Sequence, residues 1–359
     1  MSKIAIQRLY SQQLAQTSFK LPGELLAYLV AVQGQEYAGG KWSVGLRLPG
    51  GTEMSIEQAI AEKSIVRSWA LRGTLHFVAA ADICWLLALV AQRLISGSAR
   101  RYKVLELDER ILAHSNEVLA GALQSGKQLT RTELFAILEQ NGISTMGQRG
   151  VHILQRASLD GLICQGVTQH NNPTFFSLDE LPPQTKVFVR EEALAELAQR
   201  YFTSRGPATL QDFIWWSGLS SADAKAGLGA IQAQFVRETI DDQSYWLSPT
   251  MPTVQENPEM GYLLPGFDEY LLAYKDRDAS LDVPRYKRTT PTNGMLPATL
   301  VIDGRVVGTW KRTLKKDKVL IEANPFISFS DEENNAFAVA AGRYGEYLGL
   351  HAELQTRSS

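Results

Sequence analysis

The strongest constraint on the fold is a recurrence of element order: three times along the chain, helical segments are followed by two short strand-forming runs joined by a turn. In the first copy Ser55 caps a short helix through Glu62, and Ile65-Val66-Arg67-Ser68-Trp69 and Thr74-Leu75-His76-Phe77-Val78 form a hairpin around Arg72-Gly73. In the second, Asp108 opens a helix to about Leu123, and Thr130-Arg131-Thr132-Glu133 has capping-box form. Gly147 to Leu159 forms another helix, with Val151, Leu154 and Leu159 inward and Gln148, Arg149, His152, Gln155 and Arg156 outward; 162–166 and 174–178 pair after it. In the third, Thr209 and Ser220 cap two helices ahead of strands at 235–240 and 244–247. Helices followed by a hairpin are a winged-helix pattern, repeated here in element order and not in residue identity.

Outside the repeats, residues 7–19 read as a helix, a second helix runs from Pro22 towards Gln33, and Trp42-Ser43-Val44-Gly45-Leu46-Arg47-Leu48 alternates as a strand does. From Pro252 the chain turns to aromatic and charged residues. Asp303-Gly304 predicts a type I′ hairpin, Lys318 to Ile321 a further strand, and Ser330-Asp331-Glu332-Glu333 the start of a last helix, with a loose tail past Leu354. The expected fold is α+β: three tandem winged-helix motifs with a C-terminal β-rich domain and a final helix. The expected division is 1–103, 104–181, 182–251 and 252–359.

Net charge of −2 leaves whole-protein electrostatics neutral towards nucleic acid, so any phosphate-binding surface must be local. One segment qualifies. Residues 284–318 carry nine basic residues against two acidic ones, a local excess of seven positive charges. Winged helices commonly read DNA, with one helix in a groove. Duplex contacts are therefore expected from Arg72, Arg149, Arg156, Arg285, Lys287, Arg288, Lys311, Arg312, Lys315 and Lys316. A solvated charged face, a regulator without enzymatic activity or a protein scaffold are the plainer readings of the same pattern. The five histidines and two cysteines are scattered without metal spacing, so no metal or other cofactor is expected. The N-terminus lacks a signal-peptide core and no apolar run is long enough to span a bilayer, which predicts a cytoplasmic protein without membrane contact.

Gln33-Gly34-Gln35 places two amides two residues apart after an apolar helix. In extended backbone both point to one side and can converge on a small group such as a water or a sugar; on a helix they diverge and are ordinary polar residues. Asp268 and Glu269 form a candidate acid pair, or are salt-bridged to Lys275 or Arg277.

Four stretches together resemble the bacterial winged-helix DNA glycosylases of the AlkZ and YcaQ type. They are Gln33-Gly34-Gln35, Val66-Arg67-Ser68-Trp69-Ala70-Leu71-Arg72-Gly73-Thr74-Leu75-His76, Leu264-Pro265-Gly266-Phe267-Asp268-Glu269-Tyr270 and Asp303-Gly304-Arg305-Val306-Val307-Gly308-Thr309-Trp310. The resemblance implies tandem winged helices around a concave DNA surface with a C-terminal β-rich, barrel-like domain, and a monofunctional glycosylase that removes N7-alkylguanine-type purines and unhooks interstrand crosslinks. It implies a monomer acting on double-stranded DNA, with Gln33 and Gln35 as catalytic residues of the Gln-x-Gln branch. The middle residue here is Gly34, where a larger aliphatic residue is expected.

Overall fold

The computed structural model describes residues 3–170, 172–182, 187–251, 260–281 and 296–356. The chain divides into two compact units, one built from Met1–Ile56 with Leu194–Ser359, the other from Glu57–Ala193.

The first unit opens with α1 (Lys3–Ser11) and α2 (Pro22–Leu29), followed by a short strand β1 (Ala31–Gln33) and α3 (Tyr37–Gly45). The helix from Pro22 therefore stops at Leu29, before the two glutamines. The alternation over Trp42–Leu48 does not make a strand. Glu36 caps a helix there, and every residue from Gly39 to Gly45 is buried. A helix covered on all sides shows no apolar stripe, so its periodicity is lost. Small residues permit that covering: an alanine Cβ at Gly45 would lie 2.4 Å from the Tyr347 ring. Helix α4 (Glu53–Ala61) begins before Ser55. Thr52 is its cap, and the two residues exchange backbone-to-hydroxyl hydrogen bonds of 3.1 Å.

In the second unit β2 (Ile65–Trp69) and β3 (Leu75–Ala79) form the first expected hairpin. Then come α5 (Ile83–Gly97), α6 (Ala99–Val104), α7 (Glu109–Ala122), β4 (Leu129–Thr130), α8 (Arg131–Gln140), α9 (Arg149–Leu159), β5 (Ile163–Gln169) and β6 (Asn172–Ser177). Asp108 caps α7 and Thr130 with Glu133 forms the capping box of α8. Val151 on α9 is exposed, contrary to the periodicity, which Gly150, Ile153, Leu154 and Ala157 carry instead. The hairpins of the first two repeats share one sheet, in the order β3-β2-β5-β6-β4. They meet where Arg67 pairs with Gln165, and the guanidinium donates to the amide oxygen at 2.6 Å.

Back in the first unit, α10 (Arg190–Arg205) precedes α11 (Leu210–Ser217), α12 (Ser221–Ile231) and the hairpin β7 (Val236–Ile240) with β8 (Gln243–Leu247), which forms a two-stranded sheet of its own. Next come β9 (Gly261–Leu264), α13 (Glu269–Leu272), β10 (Thr299–Ile302), β11 (Arg305–Leu314), β12 (Lys318–Pro325), α14 (Asp331–Leu348) and β13 (His351–Thr356). Asp303 (φ 47°) and Gly304 (φ 80°) make the β10–β11 turn, both with the positive φ that type I′ requires. The sheet order is β13-β12-β11-β10-β9, an open sheet with two edges. Of the tail expected to be loose past Leu354, Gln355 and Thr356 end β13, which pairs parallel to β12 after the crossover through α14. Trp42, Trp310 and Tyr344 fix α3 to this sheet, with ring centroids 4.8 and 5.3 Å from Tyr344. The two indoles donate to neighbouring carbonyls of β9, Leu263 at 2.7 Å and Leu264 at 2.8 Å.

Candidate active site

The two glutamines lie on a strand-to-helix turn whose backbone is gripped from several directions. α2 ends at Leu29, and its C-cap is Val30, a fully buried β-branched residue held at φ 65°, ψ −56°. L-residues avoid this region, and holding one there costs about 1–3 kcal/mol, so such a conformation persists only where its surroundings impose it. Here they do. The Arg205 guanidinium donates through Nη1 to the Leu29 carbonyl at 2.8 Å and through Nη2 to the Ala31 carbonyl at 3.0 Å. Two residues on, the Gln33 amide donates to Glu269 Oε1 at 3.1 Å. Glu269 Oε2 in turn accepts from Arg205 Nη2 and from Trp216 Nε1, each at 2.8 Å. The Arg205 and Glu269 side chains are both fully excluded from solvent.

Beyond this grip the chain opens outward. Gln33 ends β1 half-buried, Gly34 is buried, and Gln35 is exposed at a bend. The break in the helix that the sequence suggests at Gly34 comes at Val30, which has the positive φ in this stretch. Glu36 then caps α3, accepting from the Ala38 amide at 3.2 Å and from the Gly39 amide, a favourable place for a carboxylate against the helix dipole. A small cleft of about 90 Å³ beside it is lined by Glu36, Trp42, Pro265, Trp310, Lys311 and Arg312, among others. Arg312 lies 4.0 Å from Glu36 and hydrogen-bonds the Tyr344 hydroxyl. Burial opposes its charge, but the Tyr344 oxygen, Glu36 and Glu53 outweigh it and the net pKa shift is upward.

Asp268 and Glu269 do not pair with Lys275 or Arg277, nor are they open to a substrate. Asp268 is clasped by Arg47, with Nη1 to Oδ2 at 2.9 Å and Nη2 to Oδ1 at 2.8 Å, and accepts from Ser43 Oγ at 2.6 Å. Burial alone would raise its pKa; Arg47, Ser43 and the Tyr270 amide reverse this, and the carboxyl sits below the usual range. Arg277 donates instead to the Leu271 carbonyl at 2.7 Å. The sequence signals the acidic pair but not its partners, because Arg47 and Arg205 are 221 and 64 residues away from them along the chain.

The expected DNA-contacting residues fall into distinct settings. Lys311 on β11 is exposed, as are Lys315 and Lys316 in the turn before β12, and Arg312 is half-buried. β11 thus brings Lys311 and Arg312 to the cleft beside Glu36. In the second unit Arg72 sits half-buried in the β2–β3 turn at φ 58°. Arg149 donates to the carbonyls of Ser144 and Glu106, each at 3.0 Å, and to that of Leu105. Arg156 bridges Glu109 at 2.8 Å and Asp160 at 2.9 Å, and the bond to Glu109 leads the upward shift of its pKa. Arg285, Lys287 and Arg288 lie outside the described residues. Among the described residues no helix is long and apolar enough to cross a membrane, and no group of three His, Cys, Asp or Glu is placed to hold a metal ion.

Comparison with known proteins agrees with this architecture. The interstrand DNA cross-link repair glycosylase of Streptomyces sahachiroi is 26% identical over 318 residues, spanning 80% of this chain and 81% of that protein. The solved structure of Streptomyces sahachiroi DNA glycosylase AlkZ superposes with a TM-score of 0.78 over 98% of both chains at 22% identity, a likeness of fold. The family model described as DNA glycosylase AlkZ-like matches residues 26–347, nearly the whole chain, and the chain belongs to the AlkZ-like DNA glycosylase family.

Proposed function

We propose that this protein is a monofunctional glycosylase that hydrolyses the N-glycosidic bond of N7-alkylguanine-type purines in duplex DNA and unhooks interstrand crosslinks of the same linkage. Gln33 and Gln35 position the attacking water. The observation that carries this reading is the gripped 29–33 backbone, which presents Gln33 and an exposed Gln35 on a turn next to Glu36, whose cleft is also lined by Lys311 and Arg312 of β11.

The chemistry suits amides. An N7-alkylated guanine is cationic and leaves as a neutral base, so the leaving group needs little acid help. What remains is to hold a water against the anomeric carbon and to stabilise an oxocarbenium-like sugar. Ordinary glycosidases use two carboxylates for this. A glutamine carbonyl orients water and offers partial negative charge but accepts no full proton. Such a site acts on activated leaving groups and spares normal bases. Many base-acting enzymes instead read a flipped base in a snug pocket; a base crosslinked to the opposite strand cannot flip fully, and an open site suits it better.

In this reading the three helix-plus-hairpin repeats are winged helices, divided at 1–103, 104–181 and 182–251 ahead of the domain 252–359. The protein works as a cytoplasmic monomer. Lys311, Arg312, Lys315 and Lys316 track phosphates, with Arg285, Lys287 and Arg288 continuing the basic segment. Arg72 adds a contact from the second unit. Arg149 and Arg156 are already bound to protein groups and contribute only as far as those bonds leave donors over. Incubation with a duplex carrying one N7-methylguanine tests the reading. Free base should be released while the strand stays intact until alkali is added. Tight, salt-sensitive binding without base release would make the protein a DNA-binding regulator.

A further inference from the structure

The turn that carries Gln33 and Gln35 is held by a buried ion pair with no exposure of its own. We propose that Arg205 and Glu269 are positioning residues for the glutamine pair: a clamp that fixes the backbone of 29–33 and so sets where the two amides point. This rests on the reading of Gln33 and Gln35 as the water-positioning residues.

Three main-chain groups within five residues are taken by the pair. Arg205 holds the carbonyls of Leu29 and Ala31 on either side of Val30, and Glu269 holds the amide of Gln33. A planar guanidinium can span both carbonyls and still meet the carboxylate, which a lysine ammonium cannot. The Arg205 guanidinium lies 4.2 Å over the Trp216 ring, and Trp216 donates its indole N–H to Glu269, so the clamp is itself fixed. Beside it stands a built-in control. Arg47 and Asp268 form an equally buried pair one residue away on the same short segment, but Arg47 grips Gln12 and Ser43 and bonds no main-chain group of 29–33; its link to the clamp is indirect, through the Gln12 amide that donates to the Glu269 carbonyl at 3.2 Å.

The test compares Arg205→Lys with Arg47→Lys. Both keep a cation beside the buried carboxylate, and both should lower the melting temperature. Arg205→Lys should lower kcat for N7-methylguanine release at least about tenfold, as expected when a reacting group shifts by a fraction of an ångström, with KM and duplex affinity unchanged. Arg47→Lys, matched for stability, should keep kcat near wild type. Amide exchange at Gln33 should accelerate in Arg205→Lys only. If Arg205→Lys does not fold, Trp216→Phe, which removes one donor to Glu269, takes its place with the same expected direction. Unchanged kcat in the folded clamp variant, or an equal fall in Arg47→Lys, would overturn the proposal and leave the pair a general stabiliser. Exchange at Gln33 does not depend on turnover. A wild type that releases no base would therefore sink the functional reading alone, and loss of Gln33 protection confined to Arg205→Lys would still establish the clamp.

Discussion

Arg47 and Asp268 meet in a two-pronged hydrogen bond with 0% and 2% of their side chains exposed, 221 residues apart in sequence. Breaking such a pair strands a charge in the interior and costs about 3–5 kcal/mol. Asp268→Ala should therefore melt well below wild type while Gln33 and Gln35 stay chemically intact, a difference that calorimetry would reveal. A variant melting with the wild type would mean that Arg47 finds other acceptors.

The same pair makes stability depend on acid. The Asp268 carboxyl is depressed in the folded protein, so its contribution is complete above the unfolded value of about 3.9 and drains away as the pH falls through the lower folded value. Urea midpoints of wild type and Asp268→Asn should differ by a constant amount near neutrality and converge below about pH 4. A gap that persists unchanged at pH 3 would contradict the assignment.

Gln35 is exposed, so Gln35→Ala should preserve fold and DNA binding. Loss of one well-placed polar group costs about 3–4 kcal/mol of transition-state stabilisation, roughly a hundredfold to a thousandfold in rate. Base release at the wild-type rate with an unchanged melting temperature would return Gln35 to an ordinary surface amide.

Gln35→Asp asks what the amide does. A carboxylate can act as a general base where an amide cannot. The aspartate variant should remain active, and its rate should acquire an inflection from that titration, which the wild type lacks at this position. Inactivity equal to Gln35→Ala, with DNA binding intact, would show that the amide N–H₂ fixes geometry and that water is held elsewhere.

Replacing Lys311, Lys315 and Lys316 by Ala should flatten the log–log dependence of duplex affinity on salt by about 0.9 for each phosphate that is no longer neutralised. Arg312 is left out because its bond to Tyr344 ties it to the packing of α14. An unaltered slope would place the DNA on another surface.

Much of this architecture is legible in the chain itself. Capping boxes at Thr130 and Thr209 and the Asp303-Gly304 turn are local devices whose partners sit within a few residues, and they occur where the sequence places them. Local pattern misleads where tertiary surroundings decide. Trp42–Leu48 alternates, yet its start, to Gly45, closes a helix buried on every side, and β13 forms beside β12, a partner remote in the local pattern. The glutamine pair stands out by its spacing, but the residues that hold it do not. Glu269 carries a weak signal as half of an acidic doublet, and Arg205 carries none. No local pattern encodes which carbonyl a distant guanidinium will find.

The order in which the ribosome delivers these parts follows from the split first unit. Residues 57–193 emerge as an uninterrupted block, whereas the unit that flanks them waits for its far half. At about 5–20 residues per second, the 236 residues from the one after Gln33 through Glu269 take roughly 10–50 s to synthesise. Through that interval the nascent glutamine turn has neither its carboxylate nor its own geometry. The strained Val30 backbone is thus assembled late in biosynthesis, and the nascent chain acquires its glutamine site only after its middle is already made.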